Sequence, residues 1–537
     1  MAEFLERLAI CIFATGFYFA AGARMFGVMQ QCGYKNARFY AWLKRRDNLW
    51  YNRLCLFFLI LLLSCTLTAV CFSFLGAAWA RLLSLIPFAC FAATFCAAEG
   101  KAPLKVPLAR TGRIKRLGGV YALLLAVAIY LLIDGFVLLE HLVTAPLFTA
   151  FSVVPLCFVP LLLPFIFALS NAVSCAFENP RNARYVKKNA EKIRASSAIK
   201  IGVTGSYGKT SVKNILTTIL SEKYKVVSTS ASYNTPIGIA KAADLPEFAS
   251  AEVFIAEMGA RKAGDIEELC AMVCPDYGVF TGVCRQHAET FGSEENIFDE
   301  KKKLVDSVKQ KCVCGADLYE KYGDKFSAEE MKKIVFVPRG AVKNLGGAPF
   351  RTDFDLTLTM KNGESETRRV QIPLLGKGSA ENVALAAYLA AEMGLGADEI
   401  FRGIEKILPV PHRLNLMKEN GVYILDDGYN ASEKSAEQAL DVLSAFPGKK
   451  YVVTPGIVET GIEDAEVNRP LGARLAKFDG VFVANGASAV KEGYLCAGGN
   501  EDTLHVFSDE EEVKAALSEV LCEGDAVLFL NDLPDVY

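Results

Sequence analysis

Long apolar runs dominate the first 180 residues of this 537-residue chain. Runs without a charged residue occupy positions 8–23, 54–80, 82–98, 117–133 and 142–177. Each is close to or longer than the roughly 17 to 25 residues that a membrane-crossing helix needs. The last run contains four prolines, so the pattern leaves open a single kinked helix or a helix with a re-entrant segment. We predict an α-helical membrane domain of about five spans over residues 1–195.

A different pattern begins at residue 199, where short β-branched runs alternate with helical stretches. The predicted strands cover 199–203, 253–256, 277–281, 422–426, 451–454, 481–484 and 526–530. This alternation is typical of parallel sheets covered by helices. A helical segment is expected at about 382–406, a loop-rich stretch at 341–352, and a domain boundary at Pro409 and Pro411. We therefore predict two α/β domains, a central one over 196–411 and a Rossmann-like carboxyl-terminal one over 412–537.

The charge distribution supports this division. Residues 1–195 contain 21 Lys and Arg against 8 Asp and Glu, whereas the remainder contains 37 against 52. Basic residues concentrate at 30–53, at 100–116 and after the last run, which predicts an outside amino terminus and cytoplasmic α/β domains. This pattern argues against a wholly cytosolic enzyme and against nucleic-acid binding, and Glu3 and Glu6 ahead of Arg7 argue against a removed signal peptide. The 16 cysteines include no paired Cys-x-x-Cys, so we expect neither zinc nor disulfides.

A glycine-rich segment with Lys and Thr follows the first predicted strand. A strand running into glycines and then a helix lets backbone N–H groups converge on phosphate, and Lys and Thr add phosphate and Mg²⁺ contacts. The strict phosphate-loop pattern requires a glycine at position 203, where the chain has Val203. A structural turn is the alternative. The candidate nucleotide-binding residues are Gly205, Ser206, Gly208, Lys209, Thr210 and Ser211.

Two further candidates follow other predicted strands. Glu257 ends the strand at 253–256, where a parallel sheet presents catalytic or metal-binding carboxylates. His287 and Glu289 come after the strand at 277–281, although a lone histidine is often structural. The run of lysines at 301–303 is by default a solvated helix face.

Taken in order, these segments resemble the Mur ligases, and especially the D-alanyl-D-alanine-adding (MurF) type. The resemblance extends from about residue 199 to the end of the chain. It rests on TGSYGKTS (204–211), YNTPIG (233–238), EMGARKAGDIEEL (257–269), HAETFGSEENIFDEK (287–301), PHR (411–413) and DDGYNAS (426–432).

The resemblance implies an ATP-dependent ligase that activates a carboxylate as an acyl phosphate, which an amine then attacks to form an amide. It implies two Mg²⁺ ions to offset the repulsion between the carboxylate and the triphosphate. Lys209 matches the phosphate-binding lysine, and Asn382, Arg413 and Asp427 match the adenine, phosphate and ribose contacts. The metal-binding set is Thr210, Glu257, His287 and a lysine carbamate formed with CO₂, which matches Lys301, with Lys302 and Lys303 as alternatives.

The chain departs from this family in places that bear on the substrates. The predicted membrane domain stands where such ligases have a UDP-sugar-binding domain. GSAEN at 378–382, Ser432-Glu433 and the final LFLNDLPDVY also differ from the family pattern. We expect an envelope-precursor carboxylate presented at the membrane, with a lipid-linked and a UDP-linked form as alternatives, and an amino acid or dipeptide amine. The same chemistry on another envelope polymer or poly-amino acid is an alternative.

Two alternatives concern the membrane part. An ATP-hydrolysing transporter or regulator is disfavoured because the five apolar runs contain no Asp, Glu, Lys, Arg or His. The basic, aromatic stretch at 34–50 either binds an anionic head group or, as we favour, is an interfacial anchor for membrane lipid.

Overall fold

A computed structural model describes most of the chain, in two units. The described residues are 2–44, 53–75, 77–101, 108–143, 154–285, 291–429, 431–458, 460, 464–507 and 510–531. One unit runs from Met1 to Ala183 and the other from Arg184 to Pro534.

The first unit is helical in its described residues. Its helices are α1 (Ala2–Ala21), α2 (Ala23–Gln31), α3 (Asn36–Leu43), α4 (Arg53–Phe72), α5 (Ala77–Lys101), α6 (Gly112–Val143) and α7 (Val159–Ala195), with short 3₁₀ turns at Ser73–Leu75 and Val154–Phe158. In the described residues the five apolar runs fall mainly on α1, α4, α5, α6 and α7, and positions 144–153 of the last run lie outside the described residues. Helix α7 contains Pro164 and Pro180, and it continues into the second unit.

Fewer than five of these helices qualify as spans. Among the described residues, Gly112–Gly135 and Leu156–Ala195 are long and apolar enough to cross a membrane. Arg7–Ala21 and Ala23–Gln31, bent by 43°, give a third span if they act as one, and Leu59–Phe72 is shorter. The structure thus shows two or three candidate spans, and a five-span membrane domain is not shown.

Apolar residues cover both sides of helix α6. Tyr121, Leu125 and Ile129 are fully buried at helical spacing, and the Tyr121 ring packs edge-on against Phe167 of α7 at 5.1 Å between centroids. On the opposite side Leu123 and Leu131 are 65% and 63% exposed. A helix that is apolar all round and exposes one such face is typical of a membrane-embedded segment.

The central part of the second unit is built on a six-stranded parallel sheet. Its strands are β1 (Ile199–Thr204), β2 (Val226–Ser228), β3 (Val253–Glu257), β4 (Tyr277–Phe280), β5 (Cys312–Cys314) and β6 (Ile334–Phe336), in the order β2-β3-β1-β4-β5-β6. Its helices are α8 (Lys209–Leu220), α9 (Pro236–Ala243), α10 (Asp265–Val273), α11 (Glu294–Ser307), α12 (Ala316–Tyr322) and α13 (Ala328–Lys333). Strand β3 is buried along its whole length because helices cover both faces of the sheet.

Two expectations for the segment that follows were incomplete. The stretch predicted as loop-rich at 341–352 contains strand β7 (Val342–Gly346), which pairs with β8 (Thr352–Thr359) and β9 (Ser365–Ile372) in an antiparallel sheet. The single helical segment at 382–406 is two helices, α14 (Gly376–Glu392) and α15 (Ala397–Glu405). They separate at Gly394, whose φ of +85° favours glycine.

The last part of the unit carries a second six-stranded sheet. Its strands are β10 (Asn415–Glu419), β11 (Val422–Asp427), β12 (Lys450–Thr454), β13 (Gly480–Ala484), β14 (Leu504–Phe507) and β15 (Ala526–Leu530), in the order β10-β11-β15-β12-β13-β14. Its helices are α16 (Glu433–Ser444), α17 (Asp464–Leu475), α18 (Ser488–Cys496) and α19 (Glu510–Val520). Only β10 and β11 pair antiparallel, so both predicted α/β architectures are observed.

The first sheet directs the candidate residues to one edge. Strands β3 and β4 flank β1, with Val203 paired to Glu257 and Thr204 paired to Phe280. The three carboxyl ends therefore lie side by side. Ligands of open α/β sheets bind at this kind of edge.

Candidate active site

The loop between β1 and α8 has the geometry of a phosphate cradle. Gly205 and Gly208 have φ of +149° and +73°, and a Cβ at Gly205 would lie 1.9 Å from Thr281 Oγ1. Gly208 is the N-cap of α8. The N–H groups of the first helical turn, which includes Ser211, have no partner within the helix and lie at the end of the loop. The Ser206 N–H donates to Gly282 O at 2.8 Å and fixes the loop on the end of β4. Val203, at the position where the strict pattern has glycine, belongs to β1 and is buried.

Lys209 lies within this cradle. Its Nζ donates to Gly205 O at 2.7 Å, which folds the side chain back along the loop. Burial lowers the pKa of Lys209, and Glu257 opposes that shift. The loop thus holds a cation where phosphate would bind.

Thr210 and Glu257 form a pair of oxygen donors beside the cradle. Thr210 Oγ1 donates to Glu257 Oε2 at 3.0 Å, and Asn234 Nδ2 donates to Glu257 Oε1 at 3.3 Å. Glu257 is 1% exposed. A hydroxyl and a carboxylate are ligands that Mg²⁺ favours, and it usually takes its other ligands from phosphate and water. Two protein oxygens beside a phosphate cradle therefore fit a Mg²⁺ ion bound together with a nucleotide. The described residues contain no cluster of three or more His, Cys, Asp or Glu suited to a metal.

Lys213, which the sequence reasoning did not single out, also contacts Glu257. Its Nζ lies 3.4 Å from Glu257 Oε2, and both side chains are 1% exposed. The same amine donates to the carbonyl of Ala231. A buried ion pair therefore lies next to Thr210, one helical turn beyond Lys209.

The three neighbouring lysines of α11 have different environments. Lys302 pairs with Glu330 at 2.8 Å and Lys303 pairs with Glu300 at 2.9 Å, as expected of a helix surface. Lys301 is 3% exposed, and within the described part of the chain its amine has no hydrogen-bond or ion-pair partner. Burial, with the charge of Lys209 added, lowers the pKa of Lys301 to about 7. His287 and Glu289 lie outside the described residues.

The residues matched to the adenine and phosphate contacts approach the loop from two domains, and the residue matched to the ribose contact lies near Arg413. A Cβ at Gly208 would lie 2.7 Å from Asn382 Oδ1, so the Asn382 amide rests on the cradle. Arg413 Nη2 donates to Thr210 Oγ1 at 3.3 Å. Asp427 accepts from the Leu414 N–H at 3.0 Å, and burial, partly opposed by Arg413, raises its pKa to about 6.

A second contact on the loop comes from Lys434, another residue without a prior assignment. Lys434 Nζ donates to Tyr207 OH at 3.0 Å, lies 4.7 Å from the centre of the Tyr207 ring, and pairs with Asp317. Burial raises the pKa of Tyr207 to about 12, and Lys434 opposes that shift. The first turn of α16 is therefore attached to the phosphate loop of the central domain.

Known proteins match this part of the chain. A family model described as the Mur ligase middle domain matches residues 203–390. The UDP-N-acetylmuramoyl-tripeptide–D-alanyl-D-alanine ligase of Synechocystis is 30% identical over 333 residues, 61% of this chain and 70% of that protein. The enzyme of the same name from Bacillus subtilis is 27% identical over 343 residues, 61% of this chain and 72% of that protein.

A solved structure supports the same grouping. The crystal structure of MurF ligase from Thermotoga maritima in complex with ADP superimposes with a TM-score of 0.57 at 26% identity, covering 66% of this chain and 81% of that one. Mur ligases are ATP-dependent enzymes that join an acid and an amino acid through an amide bond. Together with the site geometry, these matches show that the chain belongs to the Mur ligase family, among relatives of the MurF type.

Proposed function

We propose that this chain is a membrane-anchored ligase that adds an amino acid or D-Ala-D-Ala to a peptidoglycan precursor. The observation that carries the proposal is the convergence of Lys209, Thr210 and Glu257 on one sheet edge, with Arg413 approaching from the next domain. The MurF-type names of the relatives support the substrate class. The substitution of Ser432-Glu433 for the family's Asn-Pro favours, as a second candidate, the same chemistry on another envelope polymer.

The reaction consists of two transfers. A carboxylate oxygen of the precursor attacks the γ-phosphorus of ATP, the bond to the β-γ bridging oxygen breaks, and ADP leaves. The neutral amine then attacks the acyl carbon, phosphate leaves, and the amine loses a proton. Lys209 and the first turn of α8 bind the phosphates, while Asn382 and Asp427 orient the adenine and ribose. Arg413 contributes positive charge from the carboxyl-terminal domain, so domain closure completes the site.

Magnesium would supply the charge neutralisation that lets the two anions approach. Thr210 and Glu257 would hold one ion, and His287 with a carbamylated Lys301 would help to hold the second. Support for Lys301 comes from its burial, since a partly neutral amine reacts with CO₂, whereas Lys302 and Lys303 are engaged in ion pairs. A carbamate resonance from isotope-labelled bicarbonate should disappear in Lys301→Gln and persist in Lys302→Gln and Lys303→Gln. Loss of the resonance in Lys302→Gln or in Lys303→Gln instead would assign the carbamate to that lysine.

We also propose the membrane location, with an outside amino terminus and cytoplasmic catalytic domains. The exposed apolar face of α6 supports it, as does the clustering of basic residues in alternate loops. We keep the three-domain division, with its first boundary moved from residue 196 to Arg184. The reason is that Ala190 and Ile193, at the end of α7, are buried with the core beside the central sheet.

The substrate proposal is tested with the purified full chain. Candidate carboxylates and amines are supplied in pairs with Mg²⁺ and ATP, phosphate release is recorded, and the amide is identified by its mass. A fragment of residues 184–537 serves as the comparison for membrane presentation. If that fragment used a soluble UDP-linked precursor as efficiently as the full chain, presentation at the membrane would play no part in the reaction.

A further inference from the structure

Lys213 is a buried charge that the proposed mechanism does not use. It lies one helical turn after Lys209 on α8 and is fully buried. Burying a lysine costs several kcal/mol unless the charge is paired and its protons are hydrogen-bonded. Its two partners, the Glu257 carboxylate and the Ala231 carbonyl, meet that requirement.

Both partners belong to one small network. Ala231 has a φ of +43°, a left-handed conformation that alanine seldom adopts, in the loop Thr229–Thr235, here called the anchor loop. Thr229 Oγ1 accepts from the Glu257 N–H at 3.1 Å, and Asn234 Nδ2 donates to Glu257 Oε1. Two residues of the anchor loop therefore hold Glu257.

The anchor loop also reaches the carboxyl-terminal domain. Ser232 Oγ donates to Tyr429 OH at 2.6 Å. The Tyr429 carbonyl accepts from Arg413 Nη1 at 3.2 Å, and Arg413 also bonds Thr210, the partner of Glu257. The hydrogen bonds thus connect Glu257, through the anchor loop, to Tyr429 and Arg413 of the carboxyl-terminal domain. Arg413 leads back to Glu257 through Thr210.

We infer that Lys213 is a positioning residue that serves as the resident counter-charge of Glu257 and pins the anchor loop to it. This inference rests on the proposed magnesium-nucleotide site. In the metal-free enzyme Lys213 balances the buried carboxylate and keeps it beside Thr210, ready for the ion. A residue with only a packing role would not be coupled to Glu257 or to magnesium.

The coupling is tested by thermal unfolding of the full chain in EDTA. Lys213→Met should lower the central-domain unfolding temperature by roughly 6 °C or more, because it leaves Glu257 buried without a counter-charge. Adding Glu257→Gln to that variant should restore at least half of the loss. Lys200→Met is the matched control, since Lys200 is 7% exposed and donates to the Ser196 carbonyl at 2.8 Å. In the Lys200→Met background Glu257→Gln should restore nothing.

The second readout is the increase in unfolding temperature that Mg²⁺ adds to ADP, compared with ADP in EDTA. This increment should be larger in Lys213→Met than in the unsubstituted chain, by about 3 °C or more, since the ion replaces the missing positive charge. It should be unchanged in Lys200→Met. Equal increments in all three proteins, or a double variant no more stable than Lys213→Met, would overturn the inference. No increment in the unsubstituted chain would overturn the proposed magnesium site as well.

Discussion

Replacing Lys434 by methionine tests whether docking of the carboxyl-terminal domain on the phosphate loop is needed for turnover. Methionine keeps much of the length and apolar surface of the side chain but removes the charge. The variant loses the bond to Tyr207 OH and the ion pair with Asp317. No residue matched to a family catalytic role is altered.

The magnitude follows from the exposure of the partners. A hydrogen bond from a charged group contributes about 1.5 to 3 kcal/mol. The Lys434 and Asp317 side chains are 28% and 52% exposed, so solvent screening limits their ion pair to well under about 1 kcal/mol. A net loss of about 2 kcal/mol in domain docking corresponds to a roughly 30-fold change in that equilibrium.

The assay is ATP-dependent phosphate release with the other substrates saturating. We expect Lys434→Met to lower kcat/KM for ATP by about 10- to 30-fold. Tyr207→Phe combined with Lys434→Met should cost less than the product of the separate effects, because both changes remove the same hydrogen bond. Glu466→Gln is the control, since it removes an exposed pair with Arg285 that also joins the two domains, and it should change the rate less than about twofold. A rate within twofold of the unsubstituted enzyme for Lys434→Met would refute the reasoning.

Further substitutions probe the phosphate loop and the buried acid. Lys209→Ala should abolish ATP-dependent phosphate release, and unchanged release would contradict its role at the phosphates. Gly205→Ala should do nearly the same, because its Cβ would overlap Thr281 Oγ1 at 1.9 Å; full nucleotide binding by calorimetry would show that the loop adapts. The pKa of Asp427 is about 6 when folded and 3.8 when exposed, so its charge costs stability above pH 6 and the cost vanishes below about pH 4. Asp427→Asn should therefore raise the free energy of unfolding at pH 8 by up to about 3 kcal/mol, fading toward pH 4, while weakening nucleotide binding. Denaturant titrations at pH 8 and pH 4 measure this difference in the free energy of unfolding. A difference that is the same at both pH values, or of opposite sign, would contradict the prediction.

Sequence patterns predicted the apolar strands of the two parallel sheets, and missed both the three-residue strands and the antiparallel strands β7 to β10. The seven β-branched runs all became strands, and six of them read as continuous apolar segments because they are buried along most of their length, whereas β11 is largely half-buried. Strands β2, β5 and β6 have three residues each, too few to show a period. Strand β8 was readable, since Phe354, Leu356 and Leu358 alternate with polar residues and are fully buried.

The site divides in a similar way. Motif order singled out Lys209, Thr210 and Glu257 because local chain geometry, a strand followed by a turn, positions them. Lys213 had a weak local signal, since it lies on α8 among Val212, Ile215 and Leu216 on the buried face. Lys434 had none, because its contact with Tyr207 joins residues 227 positions apart.

The most direct test of the ligase assignment is the mass of the product formed by the full chain with Mg²⁺, ATP, a UDP-muramoyl tripeptide and D-Ala-D-Ala, with and without a lipid-linked form of the precursor. We predict an amide whose mass equals that of the two substrates less one water, formed in equal amount with ADP. ATP hydrolysis without an amide, across every carboxylate and amine pair supplied, would contradict the assignment.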